Sequence, residues 1–310
     1  MSQPYSFTRY LEAKKTVDDR SLNTHVWNQL WEALPSSSRL APLQILEVGA
    51  GTGTMIERIL ESNRLNAALY TAVDADAENI NALRDKLQGW AEERPYFMVI
   101  PETADVLTFA AQEQDKEPYD LLIAHAFLDL LDLAEVLPAL FARLKPGGLF
   151  YFTINFDGAT IFEPASSLGR AFDEQIIALY HGTMHNSHTG RQMFQQVQQA
   201  GGSLLAAGSS DWVVFAQEGR YPADEAYFLH HILHFFESSL HNHPQLGPQQ
   251  LTAWLADRHA QIERGELVYI AHQLDMLGRV GPVPQAADPA AERAANFRAA
   301  MQQRLSDSNA

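Results

Sequence analysis

Residues 43–60, LQILEVGAGTGTMIERIL, permit few folds. An apolar run ends at Val48, glycines stand at 49, 51 and 53, and a helical spacing of apolar residues starts immediately after them. A short apolar run closed by glycine and followed by a 3.6-residue period reads as a buried strand that turns directly into a helix. A turn that tight, or one that lies close to a ligand, needs a backbone without Cβ atoms.

The alternation continues downstream. AALYTAV reads as a strand, 77–90 as a helix, YFMVI as a strand and 105–112 as a short helix; YDLLIAH, the helix 129–144 and GLFYFTINF repeat the theme. Strands separated by helix-length segments pair in parallel through right-handed crossovers. After residue 157 a loop-and-helix segment leads to TGRQMFQQVQQAG, a helix closed by glycine, and to GSLLAAGSSDWVVFA, a long or bent strand. ELVYIAHQLDML supplies the last strand. The expected fold is α/β: a doubly wound, mostly parallel seven-stranded sheet with an N-terminal helical cap and a helical insertion before the last strand.

The same punctuation divides the chain. Residues 1–40 read as the cap, with helical spacing over 7–34, and 41–220 as the sheet-bearing core. Residues 221–264 read as an insertion covering the acceptor side, split at HNHPQLGP; 265–280 hold the final strand, and 281–310 form a tail that is Pro-rich and then Ala-rich.

Composition narrows the function. A formal net charge of −16 argues against tracking a phosphate backbone or an anionic membrane, which takes clustered Lys and Arg. The absence of cysteine excludes disulfide frameworks, thiolate zinc sites and thiol nucleophiles. The N-terminus has no apolar signal core and no window is long enough to span a bilayer, so a soluble, cytoplasmic protein is expected, with no nucleic acid and no membrane as partner.

Dinucleotide-binding turns read G-x-G-x-x-G, but here the third such position is Thr54 and the extra glycine is Gly53, giving G-x-G-x-G. EVGAGTG resembles the first motif of the class I S-adenosylmethionine-dependent methyltransferases, with AHAFLDLLD and FARLKPGG similar to that family's fourth-strand and fifth-strand motifs. The resemblance covers about residues 43–156, and it implies S-adenosylmethionine as cofactor and methyl transfer to a small-molecule substrate.

It also implies residue roles. Gly49, Ala50, Gly51 and Gly53 would run beneath the cofactor, Asp74 beside Ala75 would accept from both ribose hydroxyls, and Glu47 would orient the amine. Asp105 would bond the adenine amino group, with Val106 offering its amide. Arg20, among Tyr10 and Lys14 in the first helix, would hold the cofactor carboxylate. Asp76 reads instead as a helix N-cap.

His125 ends the fourth strand, the edge where open α/β sheets bind ligands, which makes it the candidate general base or acceptor-positioning residue and a cofactor-lining one. Phe127, Asn155 and Asp157 are placed to meet the acceptor, as are Tyr227, His231 and His234, which share one helix face. These aromatics favour an apolar or aromatic acceptor. His230 and His234 have a permitted ligand spacing, but no metalloprotease pattern accompanies them and no metal is expected. An aminopropyltransferase-like enzyme on the same fold and a non-catalytic cofactor-binding module are the alternatives; the glycine spacing opposes a hydride-transferring oxidoreductase.

Overall fold

A computed structural model of the 310-residue chain describes residues 5–112 and 117–281. Apart from Gly281, the tail lies outside the described residues.

The parallel part of the sheet is built from β1 (Leu43–Val48), β2 (Ala68–Asp74), β3 (Phe97–Thr103), β4 (Tyr119–His125) and β5 (Leu144–Glu163), linked by α3 (Thr54–Ser62), α4 (Ala77–Glu93), α5 (Val106–Gln112) and α6 (Leu133–Phe141). β6 (Gly202–Ser209), β7 (Trp212–Val214) and β8 (Val268–Val280) complete it in the order β3-β2-β1-β4-β5-β8-β6, with β7 also on β8. The chain winds outward from β1 to β3 and then returns to lay β4 on the other side of β1, so a crevice opens above the carboxyl ends of β1 and β4. β8 runs antiparallel to β5, β6 and β7.

Two differences from the sequence reading matter. The fifth strand does not stop near residue 156 but continues to Glu163, because Gly158, at φ +79°, makes a bulge where Asp-Gly suggests a turn. Its last parallel partner is Thr153, paired with His125; above that, β5 pairs with β8 alone as an antiparallel ribbon. The expected single strand over 202–216 is broken at Ser210 and Asp211 into β6 and β7, which makes eight strands among the described residues rather than seven.

The N-terminal segment likewise forms two helices. The Ser6 side chain caps α1 (Phe7–Ser21), and Asn23 caps α2 (Thr24–Ala33) by accepting from the Val26 amide. Beyond β5 lie α7 (Arg170–Thr183) and α8 (Thr189–Gln199). The insertion is a helix pair, α9 (Glu225–Leu240) and α10 (Pro248–Glu263), parted at HNHPQLG as the prolines and glycine indicate.

One apolar cluster lies on each face of the parallel sheet. A third, rich in aromatics, fills the space between the β5–β8 ribbon and α1, α7, α9 and α10. Full burial of each large side chain in it stabilises by about 1.5–3 kcal/mol relative to exposure, which fixes the helical layer over the crevice.

Candidate cofactor and acceptor site

A cavity of about 210 Å³ opens at the crevice. Its floor is the glycine turn, Gly49 to Thr52, together with Glu47; Asp74, Ala75 and Asn79 come from the β2 side, His125, Ala126, Phe127 and Leu130 from the β4 side, and Phe7, Leu11 and Lys14 of α1 cover it.

The turn is held in the left-handed region at Gly49, Gly51 and Gly53, with φ of +67°, +53° and +86°. The reason for each glycine lies in this chain's own packing. A Cβ on Gly49 would lie 2.3 Å from Phe127 Cγ, and one on Gly51 would lie 3.1 Å from Leu11 Cδ1. Gly53 stands outside the cavity lining, where a Cβ would press on Trp90 and Leu83 of α4, so it serves helix packing.

Asp74 braces the turn. Its Oδ2 accepts from the Gly51 amide at 2.8 Å, while Oδ1 accepts from the Asp76 amide at 2.9 Å. Oδ1 also accepts from the Asn79 side-chain amide at 3.3 Å, and Oδ2 keeps a lone pair for a further donor. Asp76 caps α4 by accepting from the Glu78 amide at 2.8 Å, as its position before the helix indicates. Glu47 is buried and accepts from the Tyr70 hydroxyl at 2.8 Å; burial pushes its carboxyl up to about 8, so it is protonated at neutral pH.

Behind the cavity stands a charged network that sequence reasoning missed. Asp18 of α1 receives hydrogen bonds from Lys14, from the Trp212 indole at 2.8 Å and at His125 Nε2 at 2.9 Å, and Arg58 lies 3.6 Å away. Arg58 also pairs with Asp19 and approaches His125 Nε2 at 3.1 Å. Burial opposes ionisation of Asp18, but Lys14, His125 and Arg58 outweigh it and hold the carboxyl well below its usual range. The one sequence signal was the i, i+4 spacing of Lys14 and Asp18.

His125 is buried, its Nδ1 2.7 Å from Thr153 Oγ1 and its Nε2 between Asp18 and Arg58. Burial and Arg58 bring its imidazole down to about 4, so the ring is neutral. In either tautomer each nitrogen has a partner: one form donates to Asp18 and accepts from Thr153, the other accepts from Arg58 and donates to Thr153. The ring therefore positions the wall, and the expected general-base role gives way to this one.

Other expected site residues are engaged elsewhere. The Arg20 guanidinium bonds both carboxylate oxygens of the fully buried Glu225 and the Val213 carbonyl, pinning α1 to α9; Lys14 is the cation that α1 presents to the cavity. Asp105 caps α5 by accepting from the Leu107 and Thr108 amides at 3.0 and 3.1 Å, and Val106 packs in the core, so neither lines the cavity. Asn155 donates to the Leu274 carbonyl at 2.9 Å and Asp157 accepts from Arg191, tying the β5 ribbon to β8 and α8 rather than facing the crevice. Tyr227, His231 and His234 do share one face, but it receives the start of the chain: Tyr5 stacks on His234 at 4.2 Å, Tyr10 on His231 at 4.6 Å, and the Tyr227 hydroxyl bonds Ser6. Phe127 alone of the expected acceptor residues lines the cavity. His230 pairs with His259 at 2.7 Å and with Glu263 at 3.1 Å, and among the described residues no group of three His, Asp or Glu is arranged to hold a metal ion.

A doubly wound sheet with a glycine turn, a following acid and a cavity at the β1–β4 switch point defines a Rossmann-like cofactor-binding domain. Residues 46–150 match the family described as Methyltransferase domain. The malonyl-[acyl-carrier protein] O-methyltransferase of Chlorobium luteolum is 33% identical over 138 residues, covering 44% of this chain and 48% of that protein. The polyketide synthase component of compactin nonaketide synthase from Penicillium citrinum is 33% identical over 129 residues, covering 41% of this chain and 4% of that protein. The chain thus spans about half the length of the first relative and a small part of the second. Geranyl diphosphate C-methyltransferase from Streptomyces coelicolor A3(2) superposes over 90% of this chain and 88% of its own at 8% identity, with a TM-score of 0.46, a likeness too loose to argue from. Over residues 46–150 the chain is thus similar to the class I S-adenosylmethionine-dependent methyltransferases. S-adenosylmethionine is the cofactor of that family. No described helix is long and apolar enough to cross a membrane.

Proposed function

We propose that this chain transfers the methyl group of S-adenosylmethionine to a small-molecule acceptor with an apolar or aromatic body. The observation that carries the reading is the meeting of the glycine turn, Glu47, Asp74 and Lys14 in one cavity at the switch point of the sheet. When bound, the cofactor supplies a sulfonium methyl open to in-line displacement, which asks the protein chiefly for positioning and exclusion of water.

The residues suit that work. Asp74, already held by two amides, presents a rigid carboxylate to neighbouring ribose hydroxyls. Glu47 brings an acid that an arriving cationic amine would ionise and Lys14 brings a cation to the same cavity, as an amino acid's amine and carboxylate require. Phe7, Leu11, Phe127 and Leu130 give an apolar cover that sheds water. In this reading residues 1–40 are the lid, 41–220 with 265–280 the cofactor domain, and 221–264 the brace that holds the lid down. The relative named as an O-methyltransferase makes oxygen acceptors the first to screen.

Calorimetric titration with S-adenosylmethionine, S-adenosylhomocysteine and NAD, repeated on Asp74→Ala, tests the reading. Micromolar binding of the first two, lost in the variant and absent for NAD, is expected. Binding of NAD alone would overturn it.

A further inference from the structure

Asn79 stands in the first turn of α4 and, with Asp74, lines the cofactor cavity. It is 2% exposed, and its Oδ1 is enclosed without a hydrogen-bond partner among the described residues. An enclosed amide oxygen without a donor is costly in a finished core, so a donor from outside the chain belongs there. Its Nδ2 donates to Asp74 Oδ1 at 3.3 Å. That contact sets the amide's orientation, because the reverse assignment would put its oxygen against the carboxylate. The Thr52 hydroxyl is the other enclosed atom of the lining without a partner, and among the described residues no hydrogen bond ties it to Asp74.

The acceptor positions of Asp74 are nearly filled. Oδ1 receives the Asp76 amide at 2.9 Å and Asn79 Nδ2, and Oδ2 receives the Gly51 amide at 2.8 Å. With two lone pairs on each oxygen, one place remains on Oδ2, whereas a ribose offers two neighbouring hydroxyls. Asp76 also lines the cavity, but it caps α4 and is open to solvent, so water satisfies it. The unfilled acceptor that is both enclosed and tied to Asp74 is Asn79 Oδ1.

We infer that Asn79 is a cofactor-positioning residue that shares the ribose diol with Asp74: one hydroxyl donates to Asp74 Oδ2 and the other to Asn79 Oδ1. The inference rests on the methyltransferase reading and names the residue through which this site requires both hydroxyls. Two amides brace Asp74, and Asn79 is bonded to Asp74 in turn, so the two acceptors are held in fixed relation. A sugar that lacks either hydroxyl leaves an enclosed acceptor unpaired, and a site built to hydrogen-bond a hydroxyl rejects the analogue without it.

The test is calorimetric titration of the whole chain with S-adenosylhomocysteine and with its 2′-deoxy and 3′-deoxy analogues. The parent is expected to bind each analogue roughly tenfold more weakly than S-adenosylhomocysteine. Asn79→Ala, and Asn79→Leu, which keeps the volume, are expected to lose that preference at one hydroxyl and keep it at the other. A residue that only braces Asp74 would lower the affinity for all three ligands by the same factor. Variants that keep both of the parent's ratios therefore overturn the inference, as does a parent indifferent to either hydroxyl. A parent that binds no S-adenosylhomocysteine fails the cofactor reading and takes the inference with it.

Discussion

Asp18 Oδ2 and His125 Nε2 lie 2.9 Å apart although 107 positions separate them. That contact joins the N-terminal helix to the end of β4, the strand that forms one wall of the cofactor cavity. The lid is thereby anchored by a buried ionic network rather than by apolar contact alone, and the position of Lys14 over the cavity depends on it.

Asp18→Ala would leave Lys14 and Arg58 as buried cations with their shared counter-charge gone. Removing one partner of such a network costs about 3–5 kcal/mol, to be read from urea unfolding at neutral pH. The depressed Asp18 carboxyl contributes stability above its unfolded value of about 3.9, and that contribution is lost as pH falls below it. The parent is therefore expected to lose this increment in acid, and the variant to lack that part of the slope.

His231 is held down to about 4 from 6.5 by burial and by His234. Between those values the unfolded chain takes a proton that the folded chain refuses, so this residue makes stability fall as pH falls. His125 acts in the same sense, whereas the raised carboxyls of Glu47, Asp129 and Asp275 act oppositely. The clean observable is the difference from His231→Phe: between about pH 7 and 5 the variant should gain about 1–2 kcal/mol on the parent. A constant difference would show that the ring titrates normally.

Glu47 is protonated at neutral pH because burial lifts it to about 8. A cationic amine arriving beside it favours the carboxylate, so S-adenosylhomocysteine binding near pH 7 should release close to one proton. Calorimetry in two buffers of different ionisation enthalpy measures that proton, and Glu47→Gln should abolish it. A raised carboxyl costs folding stability progressively as pH climbs from 4.5 to 8, so Glu47→Gln should also gain on the parent across that window.

Gly49→Ala places a Cβ 2.3 Å from Phe127 Cγ on a backbone at φ +67°. Left-handed strain and overpacking together should cost about 2–4 kcal/mol, visible as a lower melting midpoint. Phe127→Ala in the same background removes the clash but not the strain, and should recover about half of the loss in a double-mutant cycle. Full recovery would mean that the backbone conformation is indifferent to the side chain.

Much of the parallel sheet was legible because each β-α unit carries its own signals: an apolar run, a glycine or an Asp cap such as Asp76, then helical spacing. The glycine turn, Glu47 and Asp74 were named from the family resemblance and His125 from its place at a strand end, and all of them line the cavity at the crevice. Reading failed where a residue's task depends on its orientation. Arg20 and Lys14 lie on one helix, and the roll of α1 against β7 and α9 turns Lys14 to the cavity and Arg20 to Glu225. Asp105, Asn155 and Asp157 carry the right chemistry but are bound by nearby amides and carbonyls.

Local backbone preference and the 2.0 and 3.6 periods act over a few residues, so the sequence by itself determined the strand–turn–helix succession, the glycine spacing that selects the cofactor class and the absence of thiol chemistry. The tertiary structure decided which side chains meet: Asp18 with His125 and Arg58, Phe127 with Gly49, and Arg20 with Glu225. Those meetings are set by how the α1, α7 and α9 layer packs on the β5–β8 ribbon, and packing energy is shared among residues far apart in the chain, where no short-range rule reaches.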